Sequence, residues 1–287
     1  MNIPTVTVEQ MREIDRLMPD EFNIGLLQMM ENAGRLIANA AQDIFRPKTA
    51  TVLVGPGNNG ADGLVAARYL HNKGVDVEVV LSLDPGDLSD VGAQHLDTLK
   101  ILGIPVKQSI GKRPDLFIDC LLGYSTSGAP YGRVAEIMGE ATVLETPVLS
   151  CDVPSGFELS TGQWHKPAFE GAVCITLGMP KKGMANNPGI KKLLVGDLGI
   201  PPEAYKSIGI DVPNLFLDKD YIIVSEREED TAESTDKPEE NAAEENPAPE
   251  TSVMDAAESQ QSMPETSREG SQSYDTDRDD PPFVDIN

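Results

Sequence analysis

Ala50-Thr-Val-Leu-Val54 runs directly into Gly55-Pro-Gly-Asn-Asn-Gly-Ala-Asp-Gly63. A continuous apolar and β-branched run without polar alternation is what a strand needs when both of its faces are covered. The glycines mark a tight turn, and helical spacing resumes over about 61–72. Strand, Gly-rich turn and helix in that order aim backbone N–H groups at a helix N-terminus, where an anion is stabilised. Gly55, Gly57 and Gly60 formally match G-x-G-x-x-G, a weak pattern when taken alone. No Lys-Ser or Lys-Thr follows Gly60, which argues against an ATP-binding P-loop. Asn58 and Asn59 are unusual for a dinucleotide fingerprint. They read as ligands for a cation or for polar substrate groups; the competing reading is a turn in which Asn supports left-handed backbone.

Outward from this stretch the same alternation continues. Thr7-Val-Glu-Gln10 is a capping box that opens a short helix, expected to end before Pro19. Helical spacing of Leu26, Met29, Met30, Ala33, Ile37 and Ala40 predicts a longer helix over 24–44. Further strands are expected at 77–81, 116–119, 148–151, 172–177 and 192–195, with helices at 88–102 and 134–144. Such a chain predicts an α/β architecture: a three-layer, Rossmann-like fold with a mostly parallel central sheet and right-handed crossovers.

Composition divides the 287 residues at about Val224. Beyond it Glu, Ser, Thr, Pro and Ala dominate, and residues 225–287 hold 20 Asp and Glu against 4 Lys and Arg, a net −16. The whole chain carries −24, so the body keeps only −8. The expectation is one domain over 1–224 and a disordered acidic tail over 225–287, too poor in apolar residues to offset its ordering entropy. The tail reads as a solvating segment, or as a regulatory or partner-binding one whose partner is unknown. A net acidic chain without a basic cluster repels phosphate backbones, which argues against nucleic acid. Cys120, Cys151 and Cys174 sit in apolar runs and read as buried, reduced thiols. The N-terminus has no signal-peptide core, and no apolar stretch is long enough to span a bilayer, so a soluble cytoplasmic protein without membrane contact is expected.

Ligands of open α/β sheets bind beyond the carboxyl ends of the strands. Besides the Gly-rich turn, three sequences fall there: Asp119, the loop Gly123-Tyr-Ser-Thr-Ser-Gly-Ala129, and Cys151-Asp-Val-Pro-Ser-Gly156. Asp152 ends an apolar strand, and Pro154 and Gly156 turn the chain at once. A carboxyl group there is desolvated yet faces the cleft, which suits it to proton transfer. The plainer reading of either aspartate is a cap or turn former. His71, His95 and His165 are scattered away from these loops and read as non-catalytic surface residues.

Together these segments resemble the YjeF N-terminal domain family. Gly55-Pro-Gly-Asn-Asn-Gly-Ala-Asp-Gly63 is similar to its signature G-P-G-N-N-G-G-D-G, Asp119-Cys-Leu-Leu-Gly123 to its D-A-L-F-G, and Asp152-Val-Pro-Ser-Gly156 to its D-I-P-S-G. Met30-Glu-Asn-Ala-Gly34, Pro180-Lys181-Lys-Gly183 and Gly196-Asp-Leu-Gly-Ile-Pro201 follow the family's order. The resemblance implies epimerisation of the R and S forms of NADH and NADPH hydrated at C6 of the nicotinamide ring. It implies a potassium ion held by Asn59, Asp119 and Ser155. It implies substrate contacts from Asn58, Asn59, Gly60, Ala61 and Asp62, from Gly123, Tyr124, Ser125, Thr126, Ser127, Gly128 and Ala129, and from Asp152, the position of the acid/base. Ala61 stands where the family has glycine, and Tyr124 is bulkier than its usual residue.

Two other readings remain. A non-catalytic scaffold of the same fold would bind ligand or form a homodimer without turnover. An ordinary NAD-dependent dehydrogenase would need an acidic ribose ligand about twenty residues after the turn, where Glu78 and Asp84 are found.

Overall fold

Apolar runs and helical repeats alternate along the chain, and the computed structural model, which describes residues 3–226, arranges them accordingly. The chain begins with α1 (Val8–Asp20), α2 (Leu26–Ile44), β1 (Thr49–Val54), α3 (Asn58–Asn72), β2 (Asp76–Leu81), α4 (Asp90–Ile101) and β3 (Val106–Lys107). It continues with β4 (Leu116–Cys120), α5 (Gly132–Val143), β5 (Val148–Cys151) and the hairpin β6 (Phe157–Glu158) and β7 (Gln163–Trp164). It closes with β8 (Ala172–Leu177), β9 (Ile190–Gly196), α6 (Pro202–Ser207) and β10 (Tyr221–Glu226).

Eight strands form one sheet in the order β10-β9-β8-β5-β4-β1-β2-β3. Every neighbouring pair is parallel except β10 with β9. The alternation of side chains explains the layers. Val52, Val54, Ile118, Ile175 and Leu177 point to a core shared with α1 to α4. Leu53 and Phe117 point the other way, onto Ile137, Met138 and Ala141 of α5. Both faces are therefore covered, as the continuous apolar strands require.

Strands β1, β2 and β3 run outward in one direction, and β4, β5, β8 and β9 in the other. The order reverses between β1 and β4, so the loops leaving these strands part from one another and open a crevice at their carboxyl ends. Backbones approach very closely there: a Cβ on Gly55 would lie 1.8 Å from the Leu121 carbonyl oxygen, and one on Gly60 2.0 Å from that of Gly55.

Some boundaries differ from expectation. Pro19 lies inside α1, in its last turn, where losing one N–H is tolerable because the following cap bonds back to the Leu17 carbonyl. Helix α3 starts at Asn58 rather than near 61, because Gly57 takes an extended N-cap conformation. Strand β10 includes Ser225 and Glu226, which were assigned to the tail; Ile222 and Ile223 pair with β9, and Glu226 reaches Lys192 at 2.5 Å. The remainder of the expected tail, from 227 on, lies outside the described residues. His95 is buried rather than at the surface, 8 % exposed on the inner side of α4. The three cysteines are buried and free. Among the described residues, no helix is long and apolar enough to cross a membrane.

Candidate active site

Four loops meet where the strand order reverses. Asn59, in the first turn of α3, donates from Nδ2 to the carbonyl of Leu122 at 2.8 Å and to that of Cys151 at 3.4 Å. One side chain thereby ties α3 to the ends of β4 and β5. Its Oδ1 is buried and has no hydrogen-bond partner among the described residues. A buried acceptor left alone costs about 1–3 kcal/mol, so this oxygen is an open position for a cation or a ligand donor.

Asp119 is fully buried at the end of β4. Its Oδ2 accepts from Ser150 Oγ at 2.8 Å and from the Ser155 N–H at 2.9 Å; its Oδ1 accepts from Ser155 Oγ at 2.6 Å and from the Leu121 N–H at 3.2 Å. Burial pushes its carboxyl above the usual range, and the bonds from Ser155, Ser150 and Leu121 oppose that rise. Ser155 Oγ in turn accepts from the Leu122 N–H at 3.1 Å. For the three residues expected around a cation, the fit is uneven. Asn59 offers an unused oxygen and Ser155 keeps one lone pair, whereas Asp119 already fills the four lone-pair positions of a carboxylate. Direct binding by Asp119 would require it to give up one of its present bonds.

Asp152 follows β5 with φ 64, a left-handed conformation that Asp tolerates better than most residues. Its N–H donates to the Ile175 carbonyl at 2.8 Å, which fixes the residue against β8. The carboxylate is buried and forms an ion pair with the equally buried Lys181. The Tyr124 N–H reaches Oδ2 at 3.3 Å. The Tyr124 hydroxyl donates to Asp15 of α1 at 2.6 Å, and its ring lies 5.7 Å from Lys181 Nζ. Burial first, and then the neighbouring Asp152 and Asp15, hold the Asp62 carboxyl well above its ordinary range. Burial likewise raises Asp15, against the Tyr124 hydrogen bond and the Lys181 charge.

Of the expected site residues, Asn59, Asp119, Asp152 and Ser155 are thus brought together, with Gly123 and Tyr124 against them. Gly60 is buried in the close approach to Gly55. The Ala61 methyl packs with Met30 and Val65 between α2 and α3, which accounts for its fit in place of glycine. Asn58, Ser125, Ser127, Gly128 and Ala129 are exposed at the rim, and Thr126 is half-buried, its N–H bonded to the Gly123 carbonyl at 3.2 Å. Two residues of this cluster, Lys181 and Asp15, had no role assigned from sequence. No local signal marks either: Lys181 lies in the turn beyond the end of β8 at Leu177, and Asp15 sits at the edge of the buried face of α1, one repeat from Met11 and Met18. Glu78 is not free for a ribose: it is buried within β2, bonded by Thr51 at 3.2 Å and by Lys107 at 2.6 Å. Asp84 accepts from Gln108 at 2.8 Å.

Residues 26–183 match the family model described as YjeF-related protein N-terminus. The chain belongs to this family. Among its relatives, the NAD(P)H-hydrate epimerase of Dehalogenimonas lykanthroporepellens is 38% identical over 72% of this chain and 87% of its own length. The NAD(P)H-hydrate epimerase of Puccinia graminis is 31% identical over 72% of this chain and 88% of its own. The bifunctional NAD(P)H-hydrate repair enzyme of Moorella thermoacetica, 30% identical, is matched over only 40% of its length. In three dimensions the family fold is shared with the crystal structure of a yeast protein, at a TM-score of 0.68 and 26% identity over 77% of this chain and 100% of that one.

Proposed function

We propose that this chain epimerises NADH and NADPH hydrated at C6 of the nicotinamide ring, interconverting the R and S forms. The observation that carries the reading is Asp152: a buried carboxylate at the end of β5, beside the switch point, with Oδ1 tied to Lys181 and Oδ2 meeting the Tyr124 N–H, in a chain that relatives named NAD(P)H-hydrate epimerase match over most of their length.

The substrate is a hemiaminal. When its hydroxyl is protonated, the ring-nitrogen lone pair forms the C=N bond and the C–O pair leaves with water. The planar iminium then accepts water on either face, and the added water loses a proton. Electrons and protons balance with no oxidant. Asp152, entering the cycle with a proton taken from solvent, gives it to the leaving hydroxyl; the carboxylate left behind, paired with Lys181, takes the second proton back, a contribution typically of ~10²–10⁴-fold. The N-terminus of α3, whose Gly57 cap has no side chain to occupy the first N–H groups, suits the pyrophosphate. Asn58, Asn59 and Asp62, Gly123 to Ala129 and Asp152 line the substrate's path, while Gly60 and Ala61 pack beneath it. A monovalent cation such as potassium would be held by Asn59 and Ser155 beside Asp119, and would supply positive charge for positioning substrate oxygens. Asn59 itself holds the ends of β4 and β5 at fixed separation, and Asp119 orders Ser155.

The deciding experiment is chromatographic separation of the R and S hydrates after incubation of either one with purified protein. Conversion to a common mixture is expected. An unchanged single isomer would overturn the reading.

A further inference from the structure

Asp152 does not stand alone, and its two oxygens are not equivalent. Lys181 lies in the turn after β8 and is 1 % exposed. An ammonium has three protons to donate. Those of Lys181 go to Asp152 Oδ1, to Thr176 Oγ1 at 3.0 Å and to the Leu177 carbonyl at 2.9 Å. All three donors are spent on protein, so the lysine has none left for a substrate. The Thr176 hydroxyl and the Leu177 N–H also approach Oδ1, at 3.4 and 3.5 Å. Among the described residues Oδ2 accepts from the Tyr124 N–H alone, and it faces Gly123, where even a Cβ would stand 3.9 Å away.

The lysine is itself anchored from outside the site. Val6 donates to the Pro180 carbonyl at 3.0 Å and accepts from the Lys182 N–H at 2.8 Å, bracketing Lys181 in a parallel bridge. The extended segment before α1 thereby fixes the turn that carries the ammonium.

We propose that Lys181 is the positioning residue of this site: braced by Thr176 and Leu177, it binds Asp152 Oδ1 and so leaves Oδ2 as the oxygen that exchanges the proton. The inference rests on the epimerase reading of Asp152. Lys181 acts through Asp152 and never touches the substrate. Without it the carboxylate keeps its backbone position but loses its orientation, and a misplacement of about 1 Å at a reacting group costs on the order of 10²-fold.

The test uses the full chain and compares wild type, Lys181→Met, Thr176→Val, Asp152→Asn and the Lys181→Met/Asp152→Asn double variant for kcat and KM with the hydrated cofactor. Lys181→Met is expected to lower kcat by about 10²-fold and leave KM within about twofold, because its loss alters the reacting group and not the binding surface. Thr176→Val, which removes the brace on Lys181 and the long hydroxyl contact to Oδ1, is expected to lower kcat by roughly three- to tenfold with KM again unchanged. In the Asp152→Asn background, Lys181→Met should cost nothing further, since both changes remove one function. If Lys181→Met does not fold, Thr176→Val carries the same test. With wild type active and Asp152→Asn impaired, a Lys181→Met or Thr176→Val variant at wild-type kcat overturns the inference alone, as does a rise in KM without loss of kcat. An inactive wild type overturns the epimerase reading and this inference with it.

Discussion

Strands β4 and β5 are neighbours, and the end of each presents a buried aspartate to the same crevice, yet the two carboxylates are treated in opposite ways. Asp119 is surrounded by neutral donors, four in all, from Ser150, Ser155 and Leu121. It has no lone pair to spare, and its effect is to lock the loop after β5 onto the end of β4. Asp152 faces a cation on one oxygen and a single distant N–H on the other, and its backbone sits in a left-handed conformation. Saturation makes a staple; an unevenly satisfied carboxylate is one that can still act. Burial alone does not distinguish the two, because both are more than nine-tenths buried.

The contrast is broken or sharpened first at Asp152. Asp152→Asn keeps size and tolerates the left-handed backbone, but cannot exchange a proton. Epimerisation should fall by ~10²–10⁴-fold while substrate binding stays close to wild type, and the melt should drop too, because the buried Lys181 charge loses its partner. A variant that turns over near the wild-type rate would remove Asp152 from the chemistry. At Asp119 the same substitution removes no proton-exchanging group and should act through stability. An amide placed among four donors turns one acceptor into a donor facing a donor, at a cost of about 3 kcal/mol, or a Tm lowered by roughly 6–12 °C. Calorimetry checks this, and an unchanged Tm would mean that the staple is not one. If Asp119 also serves a potassium site, added potassium should restore part of the lost activity in Asp119→Asn and none in Asp152→Asn.

Asp62 extends the contrast to a third carboxyl, whose charged neighbours, Asp152 and Asp15, are both acidic. Its folded-state pKa is raised, so its favourable contribution is complete below the unfolded carboxyl value of about 4 and is lost as pH rises through the folded value. Asp62→Asn does not titrate. It should be more stable than wild type at pH 8, by about 1–3 kcal/mol, with the advantage shrinking toward pH 4. Urea melts at both pH values decide it; equal midpoints at pH 8 would show that Asp62 is solvated or paired. The smallest effect is expected at Tyr124, where Tyr124→Phe removes the bond to Asp15 and keeps the N–H that meets Asp152. A loss of about 1 kcal/mol in the same melts is expected; no loss would mean that water replaces the hydroxyl.

The sheet was legible because its strands are uninterrupted apolar runs: β5 and β8 fall at the expected residues, and β1, β2, β4 and β9 differ by only one or two at an end. Strands β3, β6 and β7 are two residues long and carry no period to read. Strand β10 is not among the strands the sequence predicts: its last residues, Ser225 and Glu226, share the tail's composition, and its pairing to β9 is a long-range fact. In the site, Asp119, Asp152 and Asn59 were visible as polar residues placed where apolar strands stop. Lys181 and Asp15 were not, since what makes them part of the site is the return of β8 and α1 to the same corner, which no local spacing encodes. His95 was misplaced for a similar reason, because its burial depends on how α4 packs against α3.

The crevice floor between β1 and β4 consists of main chain, with no room for a side chain at Gly55 or Gly60. For protein engineering this divides the pocket into a portion closed to variation and a portion open to it. A library randomised over 55–60 would be dominated by unfolded members, because a methyl group at either glycine would overlap a carbonyl that has nowhere to go. A library over 125–129 meets exposed or half-exposed positions without such overlap, provided Gly128, held at φ 75, is kept as glycine. Altered ligand preference in this scaffold is therefore to be sought from the rim downward, with the floor carried through unchanged.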